Sequence, residues 1–236
     1  MDSVLVLQAD NRYNPAMQRR PEPELMNEPA QVRAYAEADF DAAHASFIDL
    51  FQDKFPHQDF HGEVLELGCG PADISRRFAL AWPDAILHAV DGAPAMLQAA
   101  ADLNRQQGLD ERIRLIESRL PGLQLPQQHY HTLISNSLLH HLPDPHALWD
   151  TIKLHAKPFA RVFIMDLMRP DTEQMASALV AQYAADEAAI LREDFYHSLL
   201  AAFTPAEVQA QLDEHSLSQL TVDVVSDRHM IIYGTL

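Results

Sequence analysis

One cysteine, Cys69, stands in 236 residues. No internal disulfide can therefore close and no thiolate zinc cage can be built, a usage that fits a reducing, cytoplasmic setting. No apolar run approaches the roughly 20 residues that span a bilayer. Met1–Asp10 lack the basic start and cleavage site of a signal peptide, so the chain is expected to stay in the cytosol with no membrane partner. Basic residues are scarce as well: 17 Lys and Arg face 34 Asp and Glu, for a formal charge of −17. Such a field repels a duplex or a long RNA, and no nucleic-acid partner is expected. Internal repeats and low-complexity segments are missing.

What is present is the balance of a soluble globular protein, 47% apolar and 22% charged, of a length for one domain. Residues 1 to about 28, with Arg19, Arg20 and the run Pro21-Glu22-Pro23-Glu24, read as an extended arm. From Glu28 to Phe55, Val32, Tyr35, Phe40, Phe47, Leu50 and Phe51 recur at helical spacing. Strand candidates Glu63–Leu67, Ile86–Val90, Arg112–Ile116, Thr132–Asn136 and Arg161–Asp166 then alternate with helices near 73–82, 94–107 and 144–156. A helical stretch over about 171–214 follows, and Leu220–Val225 and Met230–Tyr233 close the chain as a hairpin around Ser226-Asp227-Arg228. Pro94 suits a helix N1 position, Gly108 a C′ position, and Asp144-Pro145 an N-cap and N1. The expected fold is α/β: a doubly wound, mostly parallel seven-stranded sheet with helices on both faces, an antiparallel last strand and a helical lid. Residues 1–55 would form the arm and lid, and 56–236 the main domain with its helical insertion.

The informative segment is Val64-Leu65-Glu66-Leu67-Gly68-Cys69-Gly70-Pro71-Ala72-Asp73, a buried strand entering a Gly-x-Gly turn and then a helix. Such a turn lets a ligand lie against backbone. Roughly 20 residues on, Asp91 ends the next strand, where a carboxylate can accept both hydroxyls of an adenosine ribose. A dinucleotide fingerprint would need a third glycine at position 73, and Asp73 stands there instead, a charge that would repel a pyrophosphate. A cationic sulfonium ligand fits better.

Glu66-Leu67-Gly68-Cys69-Gly70, Val90-Asp91-Gly92 and Ser135-Asn136-Ser137-Leu138-Leu139-His140-His141-Leu142 resemble motifs I, II and IV of the class I, Rossmann-like S-adenosylmethionine-dependent methyltransferases. The resemblance implies that S-adenosyl-L-methionine is the cofactor. It lays the Gly68, Cys69 and Gly70 backbone along the methionine moiety, has Glu66 support that end, gives the ribose to Asp91, and borders the adenine with Gly92 and Met96. Ser118 and Arg119 fall where the family recognises adenine, although Glu117-Ser118-Arg119 departs from the usual acidic-then-small pair. Asn136 ends the fourth strand at the cofactor edge. The Pro-Gly-Gly turn expected before strand five reads Lys157-Pro158-Phe159-Ala160.

Cys69 reads as a small packed side chain, no base being legible beside it. The adjacent His140 and His141, and the five-residue step to His146, miss the i, i+4 face of helical metal ligands, so no metal is expected. His129 and His131 start the fourth strand, on the edge away from the ligand. His140 aligns with the general base of plant O-methyltransferases, whose Leu-His-His-Leu-Pro-Asp segment this chain resembles, and His141 is the second candidate. A two-part lid is expected from Tyr35–Phe51 and Arg192–Phe203, with Tyr35 and Tyr196 touching the acceptor. The competing reading makes Phe47, Phe51, Leu199 and Phe203 ordinary core. The turn Ser226–His229 should face the site and lend Arg228 to a substrate carboxylate. The function expected is methyl transfer to O, N or S of a small polar metabolite. The alternatives are a non-catalytic S-adenosylmethionine-binding regulator and a protein methyltransferase. Pairing as a homodimer is left open.

Overall fold

A computed structural model describes residues 17–22, 34–35, 41–56 and 62–236. The rest of the proposed arm, and most of 23–40, lie outside the described residues. Seven strands run β1 Gly62–Leu67, β2 Ala85–Asp91, β3 Ile113–Glu117, β4 Tyr130–Asn136, β5 Ala156–Leu167, β6 Leu220–Val224 and β7 His229–Thr235. Among the described residues the named helices are α1 Asp41–Lys54, α2 Asp73–Ala81, α3 Pro94–Gln106, α4 His146–His155, α5 Glu173–Tyr183, α6 Ala189–Ala201 and α7 Pro205–Glu214, with a 3-10 turn at Leu139–His141 after β4. The strands form one sheet in the order β3-β2-β1-β4-β5-β7-β6. Only β7 is antiparallel to its neighbours. The expected doubly wound sheet is the observed one.

Strand order reverses between β1, which leads to β2, and β4, which leads to β5. Open α/β sheets take their ligands outside the carboxyl ends of the strands at such a switch point. That edge collects the loops after Leu67, Asp91, Asn136 and Leu167. Because β6 is parallel to β5, the turn after Val224 also reaches it, as the hairpin reading expected.

Both faces of the sheet are covered, which is why its central strands read as near-continuous apolar runs. Successive side chains point to opposite faces. Leu65 and Ile164 join Trp149, Tyr130 and Leu212 on one side, and Val64 and Phe163 join Phe47, Phe51 and Phe78 on the other. Phe47 meets Phe163 edge-on at 4.9 Å, and Phe51 meets Phe78 at 5.1 Å. Both α1 phenylalanines are fully buried. The expected lid over Tyr35–Phe51 is therefore corrected for its C-terminal half: α1 is a core helix, because its aromatic stripe packs against the sheet.

The insertion resolves into three helices with different partners. α5 and α6 pack on each other through Ala176, Leu179, Leu199 and Leu200. In α7, by contrast, Val208 and Leu212 enter the main core beside Leu220. α7 is also capped most completely, with Thr204 and Glu207 exchanging hydrogen bonds as a capping box and Pro205 in the first turn. Pro94 and Gly108 sit where expected, Pro94 in the first turn of α3 and Gly108 just past its C-cap at φ +67. α4 starts one residue later than expected, with Pro145 as its N-cap, and Asp144 accepts from the His146 N–H at 3.0 Å. β5 is longer than the Arg161–Asp166 expectation because Lys157–Ala160 is taken up as an irregularity between the Tyr130↔Ala156 and Thr132↔Arg161 pairings, with Phe159 in the left-handed region at φ +64.

Candidate functional site

The turn after β1 is held from below. The Gly68 and Cys69 N–H groups both donate to the Val90 carbonyl at 2.9 Å, and Asp91 reaches across with one oxygen on the Gly70 N–H at 2.7 Å and the other on the Ala93 N–H at 2.8 Å. One carboxylate thus ties the Gly-x-Gly turn to the start of α3. Burial pushes its pKa up, although these N–H groups oppose the shift. Gly68, Gly70 and Ala72 are all left-handed, at φ +72, +51 and +59. Asp73, which stands where a dinucleotide site has its third glycine, is paired: His44 contacts it at 2.8 Å, Arg77 at 2.6 Å and Arg76 at 3.3 Å. Burial alone would raise its pKa, but the hydrogen bonds and charges of His44 and Arg77 hold it well below the usual carboxylate range.

Met96 is buried against Ala93, and Tyr35 packs on both. Burial, with the Asp73 and Asp91 charges, pushes the Tyr35 phenol up to about 12. Tyr35, expected as an acceptor contact, has Ala93 and Met96 as its packing partners. Ser118 joins this edge through its N–H on the Asp91 carbonyl at 3.1 Å, and Arg119 reaches the Gly92 carbonyl at 3.5 Å. Cys69 is buried and free, and burial together with Glu66 and Asp91 raises its thiol pKa well above the ordinary value, which suits a packed side chain.

Glu66 lies under the turn, 1% exposed, with the Ser75 hydroxyl donating to its carboxylate. Desolvation pushes its pKa up to about 8 against the opposing pull of Ser75 and Arg76. The sign follows directly. Between about 4.5 and about 8 the native chain keeps a proton that the unfolded chain has released, so stability falls as pH rises through that interval. Glu66→Gln should remove this slope and gain on the order of a few kcal/mol over the wild type at pH 8.5. Thermal melts of cofactor-free protein at pH 5 and pH 8.5 check it; parallel losses in both proteins would contradict a protonated Glu66.

The second half of the edge follows β4 and β5. Asn136 ends β4, half-buried, Ser137 turns at φ +55, and the 3-10 turn presents His140 and His141. His140 is 2% exposed. Its Nδ1 faces Asp166 Oδ1 at 2.5 Å, and Asp166 also accepts from the Leu139 and Leu167 N–H groups at 2.8 Å each. Burial lowers the His140 pKa, but Asp166 and Glu22 overcome it, leaving a net rise. Glu22 arrives from the N-terminal segment, with Oε1 3.2 Å from His141 Nδ1 and 3.6 Å from His140 Nε2, and accepts from the Ser198 hydroxyl of α6 at 3.0 Å. Arg19 fastens this segment by donating to the His140 and Leu142 carbonyls at 2.9 Å each and to Ala201 at 2.5 Å, its guanidinium 4.0 Å over the Phe203 ring. Phe203, expected in a lid, is core.

Sequence reasoning missed Arg19, Glu22, Asp166 and Ser198. Asp166 had a signal, as a carboxylate at the carboxyl end of a buried strand, whereas Arg19 and Glu22 lay in the segment read as an extended arm. Tyr196 is stitched to α5 through Glu173 at 3.3 Å. Arg228 lies at the expected edge, but its guanidinium sits 3.4 Å over the Tyr183 ring and pairs with Asp227 at 3.1 Å. Its neighbour His229 is depressed to about 4 by burial and the Arg228 charge. His131 is exposed beside Glu63 at the opposite end of the sheet.

Residues 64–159 match the family model described as a methyltransferase domain. Among curated relatives, a trans-aconitate 2-methyltransferase of Mycobacterium ulcerans (strain Agy99) is 33% identical over 95 residues, 39% of this chain and 33% of that one. A ubiquinone biosynthesis O-methyltransferase of Xylella fastidiosa (strain 9a5c) is 30% identical over 151 residues, 63% of this chain and 58% of that one. The chain thus spans between a third and three fifths of these relatives. Among solved structures, a SAM-dependent methyltransferase from Aquifex aeolicus superposes with a TM-score of 0.65 at 15% identity, covering 89% of this chain and 99% of that one. A plantazolicin methyltransferase in complex with a triazolic desmethylPZN analog and SAH gives 0.65 at 12% identity, covering 89% and 92%. The fold is the Rossmann-like one of these enzymes. Residues 64–159 are thus similar to a methyltransferase domain and lie within a sheet of that Rossmann-like kind. Among the described residues no helix is long and apolar enough to cross a membrane.

Proposed function

We propose that this chain is an enzyme that binds S-adenosyl-L-methionine along the Gly68–Gly70 turn and transfers its methyl group to a nucleophilic atom of a small polar metabolite. The observation that carries the reading is the Asp91 bridge. A half-buried carboxylate, fixed by the Gly70 and Ala93 N–H groups, stands at the switch-point edge with lone pairs left for two ribose hydroxyls. When bound, the cofactor supplies the electrophilic methyl group. The chain's own work is to orient it and exclude water: the Gly68, Cys69 and Gly70 backbone takes the methionine end above Glu66, and Gly92, Met96, Ser118 and Arg119 border the adenine, with Tyr35 packed behind.

The acceptor would approach from the Asn136–His141 side, and His140, oriented by Asp166, is the residue to take its proton. The trans-aconitate and ubiquinone-pathway relatives favour a small acceptor over the regulatory or protein-modifying alternatives, and the acidic charge disfavours nucleic acid. Tyr196 and Arg228 would take part only by leaving Glu173 and Tyr183. A cytoplasmic site of action suits the single buried thiol, and homodimer formation remains compatible with the fold. The test is incubation with isotopically labelled S-adenosylmethionine and fractionated cell extract. Label in a small molecule, with demethylated cofactor accumulating, is expected; label held by macromolecules, or tight binding without turnover, would favour the alternatives.

A further inference from the structure

Glu22, His140 and His141 each offer one ligand atom, and the three atoms lie within 4.8 Å of one another. Two of the separations are 3.2 and 3.6 Å, both to Glu22 Oε1. Ligands on a tetrahedral zinc, with bonds of roughly 2.0–2.1 Å, stand about 3.3–3.4 Å apart. We propose that Glu22, His140 Nε2 and His141 Nδ1 form a divalent-metal site of the zinc class at the acceptor side of the catalytic edge. Two imidazoles and one carboxylate are the donor set that leaves zinc a position open for an oxygen ligand.

The surroundings are those of a ligand set held in place. A ligating histidine gives its other ring nitrogen to a carboxylate, which fixes tautomer and orientation. His140 does this with Asp166 at 2.5 Å, and Asp166 is itself locked by two backbone N–H groups. Ser198 orients the Glu22 carboxylate from α6. Arg19 anchors the segment that delivers Glu22 to carbonyls on both sides of the 3-10 turn, at His140 and Leu142.

The spacing argument against a metal weighed only helical pairs of histidines. It omitted a third ligand brought from about 120 residues away, which chain spacing cannot show. The inference rests on the placement of His140 at the acceptor side but changes its part: with an ion on Nε2, His140 acts through that ion instead of as a free base. An oxygen acceptor is then the class the open position takes.

Equilibrium dialysis of the full chain against Zn²⁺, without cofactor or acceptor, should give one ion per chain. Substituting Co²⁺ should give the visible absorption of a low-coordinate cobalt site. Glu22→Gln and His141→Gln should each abolish stoichiometric binding. Asp166→Asn, which keeps all three ligands, should weaken it about 10- to 100-fold. S-adenosylmethionine binding by calorimetry confirms that each variant is folded. Absence of stoichiometric Zn²⁺ and Co²⁺ in wild type, or full binding in a folded Glu22→Gln chain, overturns the site. Because no methyl transfer is measured, its failure leaves the proposed activity standing, and loss of transfer in a zinc-binding chain leaves the site standing.

Discussion

Replacing Asp91 by alanine is expected to weaken S-adenosylmethionine binding by about 1.5 to 3 kcal/mol, roughly 10- to 150-fold, in a chain that still folds. Two losses contribute. The ribose hydroxyls lose a charged acceptor, and the Gly-x-Gly turn loses the tether between Gly70 N–H and the start of α3. They can be separated by titrating both proteins with S-adenosylhomocysteine and with its 2′-deoxy analogue. If the carboxylate takes the ribose, deleting the hydroxyl costs the wild type affinity and costs Asp91→Ala little, so the two changes are not additive. Equal affinity of wild type and a folded Asp91→Ala chain would remove the chief support for the adenosine site.

The fold was legible because the physics that builds it is local. Burial on both faces makes β1, β2, β4 and β5 apolar runs, and Pro94, Gly108 and Asp144 punctuate the helices with chemistry that has few other uses. The proposed cofactor half of the site was legible for the same reason, since one turn and one strand end carry it within thirty residues. The proposed acceptor half was not. It would be assembled from Glu22, His140, Asp166 and Ser198, four segments brought together by the packed sheet and α6. Aromatics mixed with charges, which suggested a lid, could not tell Phe51, buried in the core, from Tyr196, half-buried against α5, because helical spacing says that a face is covered and not what covers it. Tyr35 and Arg228 show the same limit of spacing: their partners, Met96 and Tyr183, are long-range choices of packing.

The two glycines of the turn should fail differently when replaced by alanine. At Gly68, a Cβ would stand 2.8 Å from Leu138 Cδ1 and 2.9 Å from its Cβ, on a backbone at φ +72. Leu138 Cβ is the near end of a side chain in the strand-to-turn segment after β4 and cannot swing aside. The left-handed strain of about 1–2 kcal/mol adds to an overpacking cost of about 1–3 kcal/mol. Gly68→Ala is therefore expected to lower Tm by roughly 5–15 °C. At Gly70, φ is +51 but a Cβ meets nothing within 4 Å. Strain alone remains, about 1–2 kcal/mol and a shift of only a few degrees. The open space beside Gly70 is where the turn would receive the methionine end of the cofactor, so a methyl group there should cost at least about tenfold in S-adenosylmethionine affinity by displacing ligand from backbone. Thermal melts without ligand and calorimetric titration of both variants decide the matter. A Gly70→Ala chain with ordinary stability and ordinary cofactor affinity would mean that the ligand does not lie along this turn.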